Sequence, residues 1–89
     1  MKVALRKFLR SKAHTLKPVV ITGQAGVSPA VLKEIDLALS HHELIKVRIN
    51  ALDRDARRVM AEGICRDLQA ELVQSLGHVV TLYRLSPDK

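Results

Sequence analysis

Two glycines separated by two residues, Gly23 and Gly26, lie between a short β-branched segment and a serine–proline pair. Glycine has no Cβ, so a loop of this kind can adopt positive φ angles and let a ligand approach its backbone closely. Ser28 is a favourable N-cap and Pro29 suits the first helical position, so a helix should begin there. The first N–H groups of that helix lack intrahelical partners and favour an anion such as a nucleic-acid phosphate. The spacing alone fits a tight strand-to-helix turn equally well.

Positive charge is concentrated in the first third of the chain. The net charge is +6, and the seven basic residues up to position 33 all precede the first acidic residue, Glu34, whereas the rest of the chain has eight basic and nine acidic residues. A localised basic region is typical of a protein that binds a polyanion, with nucleic acid the first choice and an acidic membrane the second. The alternative is a merely solubilising surface, but such a surface usually mixes both signs. The cations predicted to make the polyanion contact are Lys2, Arg6, Lys7, Arg10, Lys12 and Lys17.

Two further basic residues, Lys46 and Arg48, alternate with apolar residues in a segment that predicts a strand. The period of two places them on the opposite face from Ile45, Val47 and Ile49, which form the predicted core face. The two cations either extend the basic surface or cover a sheet edge.

Few residues could support catalysis or metal binding. His41, His42 and Glu43 are adjacent at a predicted helix–strand junction, where neighbouring side chains point in different directions, and the sequence offers no second ligand cluster. We expect these three residues to be structural. Cys65 is expected to be a small core residue, because no pattern supplies it with a base. The sequence has no Walker loop, dinucleotide fingerprint or pair of catalytic carboxylates, so we expect no enzymatic activity, no metal and no cofactor.

Aromatic residues make up 2% of the chain, namely Phe8 and Tyr83. We expect Phe8 to pack in the core and Tyr83 to pack within a strand. A base-stacking platform of the RNA-recognition-motif or OB-fold type needs several exposed rings. If the protein binds RNA, it should therefore recognise backbone and shape more than unpaired bases.

Hydrophobic periodicity predicts the elements that must position these residues. The predicted elements are a helix over 2–16, a strand over 19–22, a helix from Pro29 to 40–42, a strand over 43–50, a helix capped by Asp53, and strands over 72–76 and 79–85 joined at Gly77–His78. The order α-β-α-β-α-β-β predicts an α/β fold, a single compact domain with a four-stranded mixed sheet, because strand–helix–strand units favour parallel pairing and the final hairpin is antiparallel. Val59 is predicted on the inner face of the third helix, and 86–89 as a frayed tail.

Length and composition restrict the class of protein. The chain has 89 residues, which predicts one domain over 1–89, and 47% of them are hydrophobic, too many for a disordered chain. A single cysteine excludes an intrachain disulfide and suits a reducing compartment. The sequence has neither a signal-peptide core nor an apolar stretch that could span a bilayer, so we expect a cytoplasmic protein.

Three segments, LKPVVITGQAGVS, ALSHHELIKVRI and LGHVVTLYR, together resemble the CRM domain in its bacterial stand-alone form, the YhbY type. The resemblance runs from Leu5 to Arg84. It implies a fold similar to the C-terminal domain of translation initiation factor three, with a KH-like GxxG loop. It also implies binding to structured RNA and, for the bacterial form, association with precursors of the large ribosomal subunit.

Carried over by position, the RNA-binding loop consists of Gly23, Gln24, Ala25 and Gly26. Loops of the family often place a lysine directly after the first glycine. This chain has Gln24 there, which can donate a hydrogen bond but carries no charge. The first helix would then have to supply more of the positive charge.

Our leading hypothesis is a cytoplasmic, non-enzymatic RNA-binding protein that assists assembly of the large ribosomal subunit. The basic helix would dock electrostatically and the loop, with Ser28, would hold one or two phosphates, so affinity should fall steeply with salt. The alternative is a protein-interaction module that docks on a ribosomal protein or assembly factor, which predicts an exposed apolar patch. DNA binding is a third hypothesis, and no recognition helix or dimerisation heptad supports it.

Overall fold

In the part of the chain that the structure describes, three helices and four strands form in the order that the periodicity predicts. The computed structural model describes residues 1–23, 26–51 and 53–86. Its elements are α1 (Val3–Ala13), β1 (Pro18–Thr22), α2 (Pro29–His42), β2 (Leu44–Ile49), α3 (Arg54–Leu68), β3 (Glu71–Leu76) and β4 (Val79–Tyr83).

The strands form one mixed sheet in the order β1-β2-β4-β3, which confirms the predicted four-stranded sheet. β1 and β2 pair in parallel and are joined through α2. β4 pairs antiparallel with both β2 and β3. Because β4 lies between β2 and β3, the strand–helix–strand unit around α3 places its two strands in one sheet without pairing them.

α2 and α3 cover one face of the sheet and form the main core with it. Ile45, Val47 and Ile49 point to this face, as predicted, and all three are almost fully buried. The same cluster includes Val20, Ile35, Leu39, Ala61, Ile64, Val80 and Leu82. Lys46 and Arg48 therefore belong to the opposite face, which we call the second face.

α1 packs on the second face. Its buried residues, Leu9 and Ala13, are four positions apart and form a narrow stripe that is separate from the cluster of α2 and α3. α1 contacts β2 and β3. The amino group of Met1 lies 4.0 Å from Oε1 of Glu71, the first residue of β3. α1 therefore crosses the second face at the end of the sheet where β2 and β3 begin.

The structure corrects two expectations for α1. The helix ends at Ala13 and not at Leu16, because the chain must leave the helical conformation before Pro18. Phe8 is 55% exposed and is not a core residue, because only the narrow stripe of α1 touches the sheet. Its ring instead lies 5.5 Å from Nζ of Lys12, a cation–π contact on the surface.

Two expectations for later elements are also wrong. Val59 is 61% exposed, because α3 turns the stripe of Ala61 and Ile64 toward the sheet. Ser86 does not begin a frayed tail: it is buried, and its N–H donates to Oε2 of Glu43 at 2.7 Å. The rest of the predicted tail lies outside the described residues.

Arg84, which follows β4, joins α2 to the end of α3. Its Nη1 donates to Oδ1 of Asp36 at 2.6 Å and to the carbonyl of Leu68 at 3.0 Å. Its Nη2 donates to the Asp36 carbonyl at 3.0 Å and to Oγ of Ser40 at 2.9 Å. The guanidinium fork thus fixes the two core helices relative to the last strand.

Candidate nucleic-acid interface

The two loop glycines come together at the end of β1, where Gly26 N–H donates to the Gly23 carbonyl at 3.4 Å. Gly26 has a φ of +109°, a backbone conformation that residues other than glycine rarely adopt. Gly23 has no positive φ, and a Cβ added there would meet nothing within 4 Å. The backbone therefore requires glycine at Gly26, whereas Gly23 leaves open space beside the loop. The intervening positions, Gln24 and Ala25, lie outside the described residues.

α2 begins directly beyond this loop, as predicted. The Oγ of Ser28 accepts from the Val31 N–H at 3.2 Å, and Pro29 occupies the first turn. The first turn contains no acidic residue, so nothing there offsets the positive end of the helix dipole. α3 differs, because Oδ1 of Asp53 accepts from the Ala56 N–H at 2.7 Å and Asp55 lies in the first turn. Both helices begin after a parallel strand, but α2 is the one whose N-terminus favours an anion.

Arg48 lies beside the loop on the neighbouring strand. It pairs with Ile21 in the sheet, its side chain is exposed, and its Nε donates to Oδ1 of Asn50 at 3.1 Å. Lys46 is half-buried, pairs with Pro18, and lies one step farther from the loop along the second face. The structure thus places the loop, Ser28 and Arg48 at one end of the sheet, with Lys46 near its middle.

The six predicted cations in and after α1 lie at the other end of the sheet. All six are exposed, and none forms an ion pair within the described ranges. Lys12 and Lys17 line a groove with His42 and Leu44, where β2 begins. Val19 of β1 also lines this groove, and four residue steps along β1 separate Val19 from Gly23, about 13 Å at the usual rise per strand residue. The basic helix and the glycine loop are therefore two separate surfaces.

Sequence reasoning missed three residues that lie at the loop end of the sheet. Asn50 holds Arg48, and Nδ1 of His78 lies 3.2 Å from the Ile49 carbonyl. Arg57 is half-buried, and its Nη1 donates to the Ala51 carbonyl at 3.4 Å. The strand order could have indicated these residues, because the carboxyl ends of parallel strands bring functional side chains together at one edge of a sheet.

Cys65 and the group around His41 and His42 are the residues that the sequence offered for other chemistry. Burial raises the pKa of the Cys65 thiol, and the charges of Glu62 and Glu71 raise it further, so the reactive thiolate is scarce. The described part of the chain has no group of three or more His, Cys, Asp or Glu that could hold a metal ion. Within the same residues, no helix is both long and apolar enough to cross a bilayer.

Comparison with known proteins gives a consistent result. The model of the CRS1/YhbY (CRM) domain family matches residues 1–84. A Haemophilus influenzae protein named "RNA-binding protein" is 43% identical over 83 residues, which cover 93% of this chain and 84% of the relative. A Bacillus subtilis protein named "Probable RNA-binding protein YqeI" is 36% identical over 83 residues, 93% of this chain and 86% of the relative.

A solved structure is also similar over almost the full length. The solution structure of hypothetical protein SAV1595 from Staphylococcus aureus, described as an RNA-binding candidate, superposes with a TM-score of 0.87 at 32% identity. The match covers 97% of this chain and 90% of that protein. The order of helices and strands is the same in both.

Proposed function

The chain belongs to the CRS1/YhbY (CRM) domain family, and from this premise we propose that it binds structured RNA. The RNA that we propose is ribosomal RNA in precursors of the large subunit, whose assembly the protein assists in the cytoplasm. We propose that it acts by binding alone, without catalysis and without a cofactor.

The proposal rests on two features that lie together: an accessible loop backbone at Gly23, and the N-terminus of α2, where no acidic side chain offsets the helix dipole. Gly23 leaves space beside the loop, and α2 begins beyond it without an acidic residue in its first turn. A phosphate needs N–H donors and a positive field, and both are available at a helix N-terminus of this kind. Arg48, exposed on the adjacent strand opposite Ile21, adds a positive charge on the second face at the same end of the sheet.

The basic helix supplies a second, separate contact. Because about 13 Å of β1 lies between the groove at Val19 and the loop at Gly23, no single phosphate reaches both surfaces. An RNA with an extended backbone reaches both at once, which favours folded ribosomal RNA over a small anion. Binding at two basic surfaces releases many counterions, so affinity should be strongly dependent on salt.

The test is binding to large-subunit precursor RNA across a salt series, with wild type compared with Gly23→Asp. Nothing lies within 4 Å of the new Cβ, so the variant should fold, and its carboxylate should repel a phosphate from the loop. Leu37→Asp is the matched control, because it adds the same charge at an exposed position in the middle of α2. Loss of affinity in Gly23→Asp alone supports the loop as the phosphate site. Salt-independent binding by the wild type would contradict the electrostatic mechanism.

A second function, docking on a ribosomal protein or assembly factor, is favoured by one observation. The groove between the end of α1, β1 and the start of β2 has a volume of about 520 Å³ and includes the apolar side chains of Leu16, Val19 and Leu44. Val19 is 48% exposed, and Phe8 is exposed beside Lys12 at the groove's edge. Binding of a purified ribosomal protein that persists after nuclease treatment and is lost in Val19→Ser would support this function.

A further inference from the structure

The second face of the sheet is covered at one end and open at the other. Strand register aligns four residues in a row across this open end: Ile21 pairs with Arg48, Arg48 with Val79, and Val79 with Leu76. We call these four residues the open row. The row spans three strand spacings, about 14 Å.

Three of the four side chains of the open row are exposed, and the fourth, Val79, is half-buried. Ile21 is 60% exposed and Leu76 is 72% exposed, and Arg48 follows Ile21 in the row. α1 does not cover them, because it crosses the face where β2 and β3 begin. Neighbouring apolar residues exposed on one face indicate a surface that binds something.

A hollow of about 210 Å³ adjoins the open row on the side toward α1. Its walls are Leu16, Pro18, Lys46, Gln74 and Thr81, together with Leu76 and Val79 of the row. Gln74 and Lys46 supply hydrogen-bonding groups, and Leu16 and Leu76 supply apolar surface. The hollow is smaller than the roughly 300–1,000 Å³ of pockets for drug-sized ligands, so it suits a single ring system.

We propose that the open row and this hollow bind an unpaired nucleobase of the RNA whose phosphate lies at the Gly23–Gly26 loop. A nucleobase has apolar faces and a hydrogen-bonding edge, which is the combination that the hollow offers. Ile21, at one end of the open row, precedes Gly23 by two residues, about 7 Å along β1, so an RNA strand that leaves the loop along the second face meets the open row first and the hollow beyond it. This inference rests on the proposed RNA-binding function and adds base selection to it.

The charge of the surface favours RNA over a peptide as the occupant. The residues of the open row and of the hollow include two cations, Arg48 and Lys46, and no acidic residue. The chain has too few aromatic residues to bind unpaired bases by stacking them on aromatic side chains. The structure offers aliphatic side chains and a guanidinium plane in their place, and guanidinium planes stack on unpaired bases in RNA complexes.

The experiment measures fluorescence anisotropy with two labelled RNAs of the same stem sequence, one closed by an unpaired loop and one fully paired. The proteins are wild type, Leu76→Ser, Gln74→Ala and the control Leu37→Ser, which removes a similarly exposed leucine from α2. Each variant is first checked for an unchanged fold by circular dichroism. We expect Leu76→Ser and Gln74→Ala to weaken binding of the looped RNA by about fivefold to tenfold and to leave binding of the paired RNA unchanged.

The outcomes separate this inference from the function on which it rests. If wild type binds neither RNA, the inference fails, and the proposed function fails with it when large-subunit precursor RNA is not bound either. If wild type binds RNA but the variants weaken both RNAs equally, or weaken neither, the base subsite is wrong while RNA binding stands. If Leu76→Ser changes only self-association in sedimentation, the open row is an interface between copies, which also overturns the inference.

Discussion

At the scale of single residues, the two loop glycines have different reasons to be glycine. Gly26 needs its positive φ of +109°, so Gly26→Ala should lower the free energy of unfolding by about 1–3 kcal/mol. Gly23 has no such φ and no close neighbour, so Gly23→Ala should leave stability within about 0.5 kcal/mol of wild type. Denaturant titration of the two variants measures the difference.

Gly63→Ala is the control for these substitutions. Gly63 lies within α3, where a new Cβ would be 3.7 Å from Nη2 of Arg66, an ordinary contact. Alanine is the better helix former, so this variant should gain about 0.5–1 kcal/mol. Equal destabilisation by Gly23→Ala and Gly26→Ala would show that both glycines serve the turn and neither is kept for a ligand.

Thr22 gives a second prediction at this scale. Its side chain is fully buried at the end of β1, and its Oγ1 has no hydrogen-bond partner among the described residues. Replacing the hydroxyl with a methyl of similar shape removes an unsatisfied polar group. Thr22→Val should therefore raise the free energy of unfolding by about 1 kcal/mol, measured by thermal and denaturant unfolding. A loss of stability would instead mean that the hydroxyl is satisfied in the folded protein.

The sequence predicts a residue correctly where the rule involved is local. Ser28 and Asp53 both cap helices as expected, because capping depends on a few neighbouring positions. The prediction that Phe8 packs in the core was wrong, because helical spacing shows which residues share a face of the helix and not how much of that face another element covers. Asn50 was missed because its role depends on where the Arg48 side chain lies.

At the scale of elements, Arg84 connects three segments that are far apart in the sequence. Its side chain is 20% exposed, and its guanidinium donates twice to Asp36 and once to Ser40 of α2, and once to Leu68 of α3. Arg84→Met should lower the free energy of unfolding by about 1–3 kcal/mol, because partly buried acceptors, Oδ1 of Asp36 and the carbonyls of Asp36 and Leu68, lose their donor. Arg84→Lys should recover little of this, since one ammonium cannot replace the fork.

The control for Arg84 is an arginine whose ion pair is exposed. Nε of Arg66 lies 3.9 Å from Oδ1 of Asp67, and the Arg66 side chain is 78% exposed. Exposed pairs of this kind contribute little, so Arg66→Met should change stability by less than about 1 kcal/mol. If Arg84→Met were as mild as Arg66→Met, the polar clamp would not be what orients α2 and α3.

The arrangement of elements was predictable only in part. Periodicity located all seven elements, and the strand–helix–strand pattern correctly paired β1 with β2 in parallel. The position of β4 between β2 and β3 was not predicted, because the pattern of one strand does not identify its neighbours. The open row is a consequence of that order, so it could not be inferred from the sequence.

At the scale of the whole molecule, the candidate site consists of two separate basic surfaces, the helix α1 and the glycine loop. Their separation could not be predicted from the sequence. Charge counting placed the cations of α1 and the loop in one basic region of the chain. The fold then carries α1 across one end of the sheet and the loop to the other. α1 and the loop are close in the sequence but distant in the structure, because the extended strand β1 lies between them.

This separation predicts that the two surfaces contribute independently to RNA binding. Lys7→Gln with Arg10→Gln should reduce the slope of log affinity against log salt by about two, and Arg48→Gln by about one. Sites more than about 10 Å apart with no shared partner usually contribute additively. The combined variant should therefore lose about three units of slope on large-subunit precursor RNA, with Arg66→Gln unchanged. A combined variant no weaker than Lys7→Gln with Arg10→Gln would mean that Arg48 does not contact RNA independently of α1.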